Sequence, residues 1–330
     1  MASYQDWSVG ISAAESTYGA GTTVARHFEF TDPKPFETDM GIKQGDGIRV
    51  GSRVALSARR VTTTRQASGD IAMQLFSKGL GLLYKACMGA GTSTLVSTGL
   101  YQQVFTLADD LPSHNIQFGI PQVGGTIDAI TYKGCVMSSF EIGGAVGEIA
   151  TLKTSWDAQT WDTSTSYVAP SYPTGGSLLT ISDATIYSGT VTAPTTTALA
   201  SAATALAGVK DFKVKVDNKL VADRFFVGAA GLKGKPLPGM REISVEMNVE
   251  YGATTLRDAF LNQTAMTLVV TIGTGADQVQ IVLSELKLDG DLPEGGPDAP
   301  PQQAIKATVL DNLTATQPMW IVARTSDTAL

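Results

Sequence analysis

Glu242 to Tyr251 reads EISVEMNVEY. Ile243, Val245, Met247, Val249 and Tyr251 fall on one side of an extended chain, and Glu242, Ser244, Glu246, Asn248 and Glu250 on the other. Successive side chains of a strand point to opposite faces, so this alternation predicts a half-buried strand. A helix-like segment follows at once, Thr255 to Asn262 (TLRDAFLN). The same succession occurs earlier in the chain. Asp70 to Leu75 (DIAMQL) alternates, with Ile71, Met73 and Leu75 on one face; Lys78 to Met88 (KGLGLLYKACM) then reads as a short helix, with Gly89 placed to stop it.

Working outward, the pattern is mostly of strands. They are predicted at Val24–Thr31, Tyr101–Leu107, Asn115–Ile120, Lys133–Ile142 and Glu148–Asp157 before the middle of the chain. After it they are predicted at Val209–Val216, Thr267–Ile272, Gln278–Leu288, Gln303–Leu310 and Met319–Ala323. Gly143 and Gly144 suggest a hairpin between two of them. Residues 163–208 differ: they are rich in Ser, Thr, Ala, Pro and Gly, include the tract TAPTTTALASAATALAG, and read as a linker with a hairpin at Leu178–Val191. The expected organisation is mainly β, as a tandem pair of β-sandwich or barrel units with one short helix each: 1–162, a linker at 163–208, and 209–330.

The composition agrees. The chain has 330 residues, 43% of them hydrophobic and 17% charged, with 34 Gly and a mean hydropathy of +0.07. A charged fraction below the roughly 25% usual for soluble domains, made up by small and β-branched residues, suits a turn-rich β protein. The net charge of −7 and pI near 4.9 argue against tight binding of a phosphate backbone by the overall field. Met1–Trp7 has neither the basic nor the apolar region of a secretory leader, and the longest apolar stretch, Leu80–Met88, is too short to span a membrane. Cys87 and Cys135 cannot form a disulfide framework and are expected to be buried, reduced thiols.

Reactive constellations are missing from the sequence. His27 and His114 lie in no metal motif; the Gly-rich pieces at 89–94 and 273–278 lack the context of a nucleotide loop; no nucleophile elbow occurs. Asp289, Asp291 and Glu294 have neither EF-hand spacing nor an uninterrupted loop. No metal or cofactor is expected, and the balance moves toward a structural protein. Two positive features stand out. Arg49, Arg53, Arg59, Arg60 and Arg65 cluster with no acidic residue between Asp46 and Asp70, which suits an arm meeting carboxylates of a neighbouring copy. Glu242, Glu246 and Glu250 share one strand face and suit a surface to which polyanions do not adhere.

The linear order of many weak matches resembles one family, the tail tube proteins of long-tailed, non-contractile bacteriophages. The resemblance runs through Val9–Phe30 (VGISAAESTYGAGTTVARHFEF), the arginine-rich GSRVALSARRVTTTRQASGDIAMQL of Gly51–Leu75, and LFSKGLGLLYKACMGAG. It continues in DLPSHNIQFGI, in YKGCVMSSFEI with Gly134-Cys135 at a turn, in PGMREISVEMNVEY and in AFLNQTAMTLVVTIG. The tract at 192–208 and the Pro-rich loop at 292–301 look like local elaborations. What the resemblance implies is a ring of six tube units with a continuous inner β-barrel, stacked through loops and an extended arm into a conduit for DNA, without bond chemistry. It implies copies of the chain as partners, with tape-measure, tail-tip and tail-terminator proteins, and a virion tail assembled in the host cytoplasm with no membrane contact. It implies, too, that DNA passes without specific binding.

On that footing three chains of two units make a ring of pseudo-sixfold symmetry; six chains are the alternative. Arg49 to Arg65 are expected at contacts between rings. Alternation cannot distinguish outer water from lumen water, but the family's inner barrel uses long regular strands, so Asp70, Gln74, Glu242, Glu246 and Glu250 are expected to face the channel. A contractile or secretion-type tube shares the unit fold, and an adhesin-like surface protein is the rival from another class.

Overall fold

A computed structural model describes residues 4–32, 34–296, 299–328 and 330. Its organising element is one antiparallel sheet of eight strands. They are β1 (Glu37–Asp39), β2 (Gln66–Gln74), β3 (Ile127–Ala145), β4 (Thr151–Ala158), β5 (Val209–Asp217), β6 (Glu242–Glu250), β7 (Asp277–Gly290) and β8 (Ala299–Val309). Across the sheet the order is β1-β2-β4-β3-β5-β6-β8-β7. The first four strands and the last four therefore follow the same path. Helices repeat it too: α1 (Gly81–Met88) follows β2 and α2 (Thr255–Leu261) follows β6, at one interval from Met73 and Met247. Gly89 (φ 97°) and Gln263 (φ 50°) share a further common interval, each a left-handed residue that turns the chain out of its helix.

Two strands are long because each serves two sheets. The first half of β3 pairs with strands His114–Pro121 and Thr160–Asp162, continuing through Ser8–Ser12 to Val24–Phe28. The first half of β7 lies between Met266–Thr274 and Met319–Thr325, continuing to Thr185–Thr192 and Ser201–Ala205 on one side and Leu100–Leu107 and Gly89–Ser97 on the other. β3 changes partners at an irregularity around Gly134 (φ 65°), where its register with His114–Pro121 shifts. Glu15 steadies this bend: its carboxylate accepts the amides of Gly19 (3.0 Å), Gly21 (3.2 Å) and Gly134 (3.3 Å). Followed strand to strand among the described residues, the ladder never returns to its start, so one chain closes no barrel.

The apolar face of the eight-strand sheet forms the core. Met73, Leu152, Ile142, Val214, Val245, Ala307 and Leu288 lie in one row across seven strands, and all are buried. Tyr84 of α1 sits between Phe140 of β3 (5.8 Å between ring centroids) and Phe105 of an outer strand (5.4 Å), so the helix fills the gap between sheets. Phe36, just before β1, packs on Tyr132 (4.7 Å) and Phe118 (5.4 Å). The result is a sandwich rather than an isolated sheet.

Several predicted elements move. Gly143 and Gly144 are not a turn but lie within β3; the chain reverses at Val146 and Gly147 (φ 90°). The hairpin in 163–208 pairs Thr185–Thr192 with Ser201–Ala205 instead of lying at 178–191. Gly89 ends α1 but also begins a strand, Gly89–Ser97, absent from the sequence reading. Of the Pro-rich loop 292–301, Pro297 and Asp298 lie outside the described residues.

Gly143 has a packing reason to be glycine. A Cβ there would lie 2.4 Å from the Phe212 carbonyl oxygen and 2.8 Å from the Lys213 Cα, both in the backbone of β5. Gly143→Ala is therefore expected to destabilise the chain by about 1–3 kcal/mol. Gly124→Ala, where nothing lies within 4 Å, should stay within about 0.5 kcal/mol. Urea denaturation of the two variants measures the difference.

Candidate functional site: a polar sheet face and an arginine-rich arm

The other face of the eight-strand sheet is mostly polar. Gln74, Thr151, Gly143, Lys213, Glu246, Lys306 and Asp289 form one row in register. Ala72, Lys153, Glu141, Lys215, Ser244, Thr308 and Lys287 form the next, and Asp70, Ser155, Ser139, Asp217 and Glu242 a third. Asp70, Gln74, Glu242, Glu246 and Glu250, singled out from two strands far apart in sequence, thus lie on one continuous surface. All five are exposed.

Their electrostatics differ from the acidic stripe read from β6 alone. β5 places lysines opposite the carboxylates of β6: Lys213 lies 3.1 Å from Glu246, and Lys210 3.8 Å from Glu250. Lys219, just past β5, lies 2.9 Å from Glu242 and 3.0 Å from Asp217. The hydrogen bond to Glu246 raises the Lys213 ammonium above its ordinary range, and that to Glu242 does the same for Lys219. The face is a mosaic of alternating charge with a small excess of carboxylates. Exposed pairs of this kind add little stability, about 0–1 kcal/mol each; their effect is to set the local field.

The five arginines also occupy one feature. Ile42–Gln44 pairs with Arg60–Thr62 as a narrow hairpin, and Arg49, Arg53, Arg59, Arg60 and Arg65 are all exposed on or beside it. None makes an ion pair among the described residues. The sequence reading missed that the arm is also apolar: Ile48 and Val50 are fully exposed, Val54 largely so, and Val61, Ile42 and Met40 about half. Exposed apolar side chains grouped in one segment suit a contact site. The Arg65 amide ties the arm's base to the Gly231 carbonyl (2.9 Å).

Gly231 belongs to the segment between β5 and β6, which is strapped to the first half of the chain. The buried Lys233 pairs with Asp157 at the end of β4, and Lys235 pairs with Asp110 (2.6 Å). Burial pushes the Asp157 carboxyl up against the opposing pull of Lys233.

Reactive groups elsewhere are sequestered. Cys87 and Cys135 are buried and unpaired, and burial pushes the Cys87 thiol up to about 12. His114 is buried, its imidazole held down to about 4 by desolvation. Among the described residues no cluster of three or more His, Cys, Asp or Glu could hold a metal ion, and no helix is long and apolar enough to cross a membrane.

No curated protein matches the chain. A family model does: that of phage tail tube proteins matches residues 8–309, from the first strand through the end of β8. The matched span contains the entire eight-strand sheet, the arm and both helices, and so this chain belongs to the phage tail tube protein family.

Proposed function

We propose that the chain polymerises as stacked rings into the tube through which DNA leaves a non-contractile phage, with the polar sheet face lining the bore. The observation that carries this reading is the eight-strand sheet itself, with one face buried across seven strands and the other face wet. Its two halves, β1-β2-β4-β3 and β5-β6-β8-β7, are two tube units in tandem, so the units divide as 1–162 and 209–330 around the 163–208 segment. Three such chains contribute twenty-four strands to one ring. At a strand spacing near 4.8 Å and the usual barrel tilt, that ring is roughly 40–50 Å across at the backbone, wide enough for a nucleic acid duplex. Six chains in one sheet would double the bore.

The role is structural, with no bond chemistry, and the other partners are those of a tail: tape-measure protein during assembly, tip and terminator proteins at the ends. The arm supplies contact between rings. Its exposed Ile48 and Val50 bury apolar area against the next ring while its arginines select a carboxylate-bearing surface there. The charge mosaic of the bore presents no uninterrupted basic track to phosphates, so DNA gains little by counterion release when it touches the wall.

Native mass measurement or image symmetry of isolated rings should give three chains per ring; six would overturn the tandem assignment. Exchanging Arg59 and Arg60 for Glu should leave the circular dichroism of the subunit unchanged while shortening or abolishing tubes, and tubes of normal length would remove the arm from the stacking contact. Replacing Glu242, Glu246 and Glu250 by Lys frees Lys210 and Lys213 from their partners, leaves Lys219 with Asp217 alone, and adds three amines. Tubes should still form, with DNA ejection slowed severalfold. Ejection at the wild-type rate would place this face away from DNA.

A further inference from the structure

The eight-strand sheet has two open edges, and its own middle shows how they meet. Beyond Leu286, where pairing with Met266–Thr274 ends, β7 is paired only on the side of β8. Among the described residues β1 is paired only with β2. Between the halves, the corresponding edges are already joined, by β3 and β5. The repeat gives the equivalences. Ser68 of β2 and Glu242 of β6 stand at the same interval before Met73 and Met247; Glu37 faces Ser68 as Asp217 faces Glu242. Glu141 is reached from Ala72 through Lys153 as Asp289 is reached from Glu246 through Lys306. The joint Ser139↔Asp217 and Phe140↔Val216 thus has a counterpart in Lys287↔Glu37 and Leu288↔Phe36.

Resting on the ring reading above, we infer that β7 of one copy pairs antiparallel with the Phe36–Asp39 edge of the next copy in this register, Lys287 opposite Glu37 and Leu288 opposite Phe36. Three independent features fit. Lys287 and Glu37, the latter paired with Lys34 at 2.9 Å in the separate subunit, carry opposite charges at the position where the internal joint has Ser139 and Asp217. Leu288 and Phe36 are both buried, at 2% and 3% exposure, as are Phe140 and Val216, so the core row continues across the boundary. The hydrogen-bonding parity also agrees, the Phe36 carbonyl, which accepts the Tyr132 hydroxyl at 3.0 Å, keeping a second lone pair for the joint. The Asn218 amide donates to the Ser138 carbonyl, which assigns even-numbered residues of β3 to the joint; by equivalence Leu288 points outward from β7. Its carbonyl does so, and accepts Nε2 of Gln263 at 3.0 Å. That side chain occupies the edge in the separate subunit, as edge strands require, and gives way to the incoming strand. Pro35 falls at a position directed toward β2, so its missing N–H removes no bond from the joint.

Residues 287 and 37 form a non-hydrogen-bonded pair in this register, with Cα atoms about 4.5 Å apart, inside the range a disulfide spans. Tubes assembled from Glu37→Cys/Lys287→Cys chains and oxidised should run on a non-reducing denaturing gel as covalent dimers and trimers, returning to monomer with reductant. Ser139→Cys/Asp217→Cys closes within one chain and serves as the geometric control. In parallel, Glu37→Lys or Lys287→Glu should reduce ring formation at least tenfold and the double exchange should restore it. Rings that stay uncrosslinked while the control closes, or charge reversals that fail to rescue each other, overturn this register and leave the ring standing. Wild-type chains that form no rings overturn the reading beneath it, and the joint with it.

Discussion

The ladder between β3 and β5 is the contact on which the rest depends. An edge strand presents unpaired amides and carbonyls that must meet another strand, water or a cover. Here the last strand of one half meets the first of the other over seven residue pairs, from Ser139–Asp217 to Ala145–Asp211. That union makes one buried face out of two and, on the opposite side, one uninterrupted polar surface. It is also close enough to require glycine at 143, where the β5 backbone occupies the place of a side chain.

The polar surface illustrates how a sheet can be charged without acting as a charged wall. Each strand alone carries a single sign in places: lysines at 213 and 215 of β5, glutamates at 242, 246 and 250 of β6. Pairing brings the opposite signs together at 3–4 Å, where they neutralise one another over distances shorter than the Debye length of about 8–10 Å. A polymer moving past such a surface meets a field that reverses every few residues and offers no extended site to settle in.

How legible this was varies with the contrast each strand shows. β2 and β6 have one wet and one dry face, so their alternation announced them, and the two helices followed from the break in that period. β3 was read short because its first part runs between sheets: Ala129, Thr131, Tyr132, Gly134 and Cys135 are buried without regular alternation. Thr185–Thr192 and Ser201–Ala205 hid in a tract of Thr, Ser and Ala whose faces differ little in polarity. The five arginines were visible as a cluster, but the exposure of Ile48 and Val50 was not, since an apolar residue ordinarily reads as core. The lysine partners of the β6 glutamates were invisible for a different reason. They depend on which strand lies alongside, and long-range pairing leaves no local trace in sequence.

The arm and the sheet also differ in stiffness. Within a ring of the proposed kind, the strands from β2 to β7 are joined by ladders of five to eight residue pairs, so deforming that part of the hoop means breaking many hydrogen bonds at once. The arm's own ladder spans only Ile42–Gln44 against Arg60–Thr62, and its base is held through the Arg65 amide. Bending of a stack would therefore concentrate in the arms, each yielding by a small hinge movement, while the bore keeps a constant cross-section along the curve.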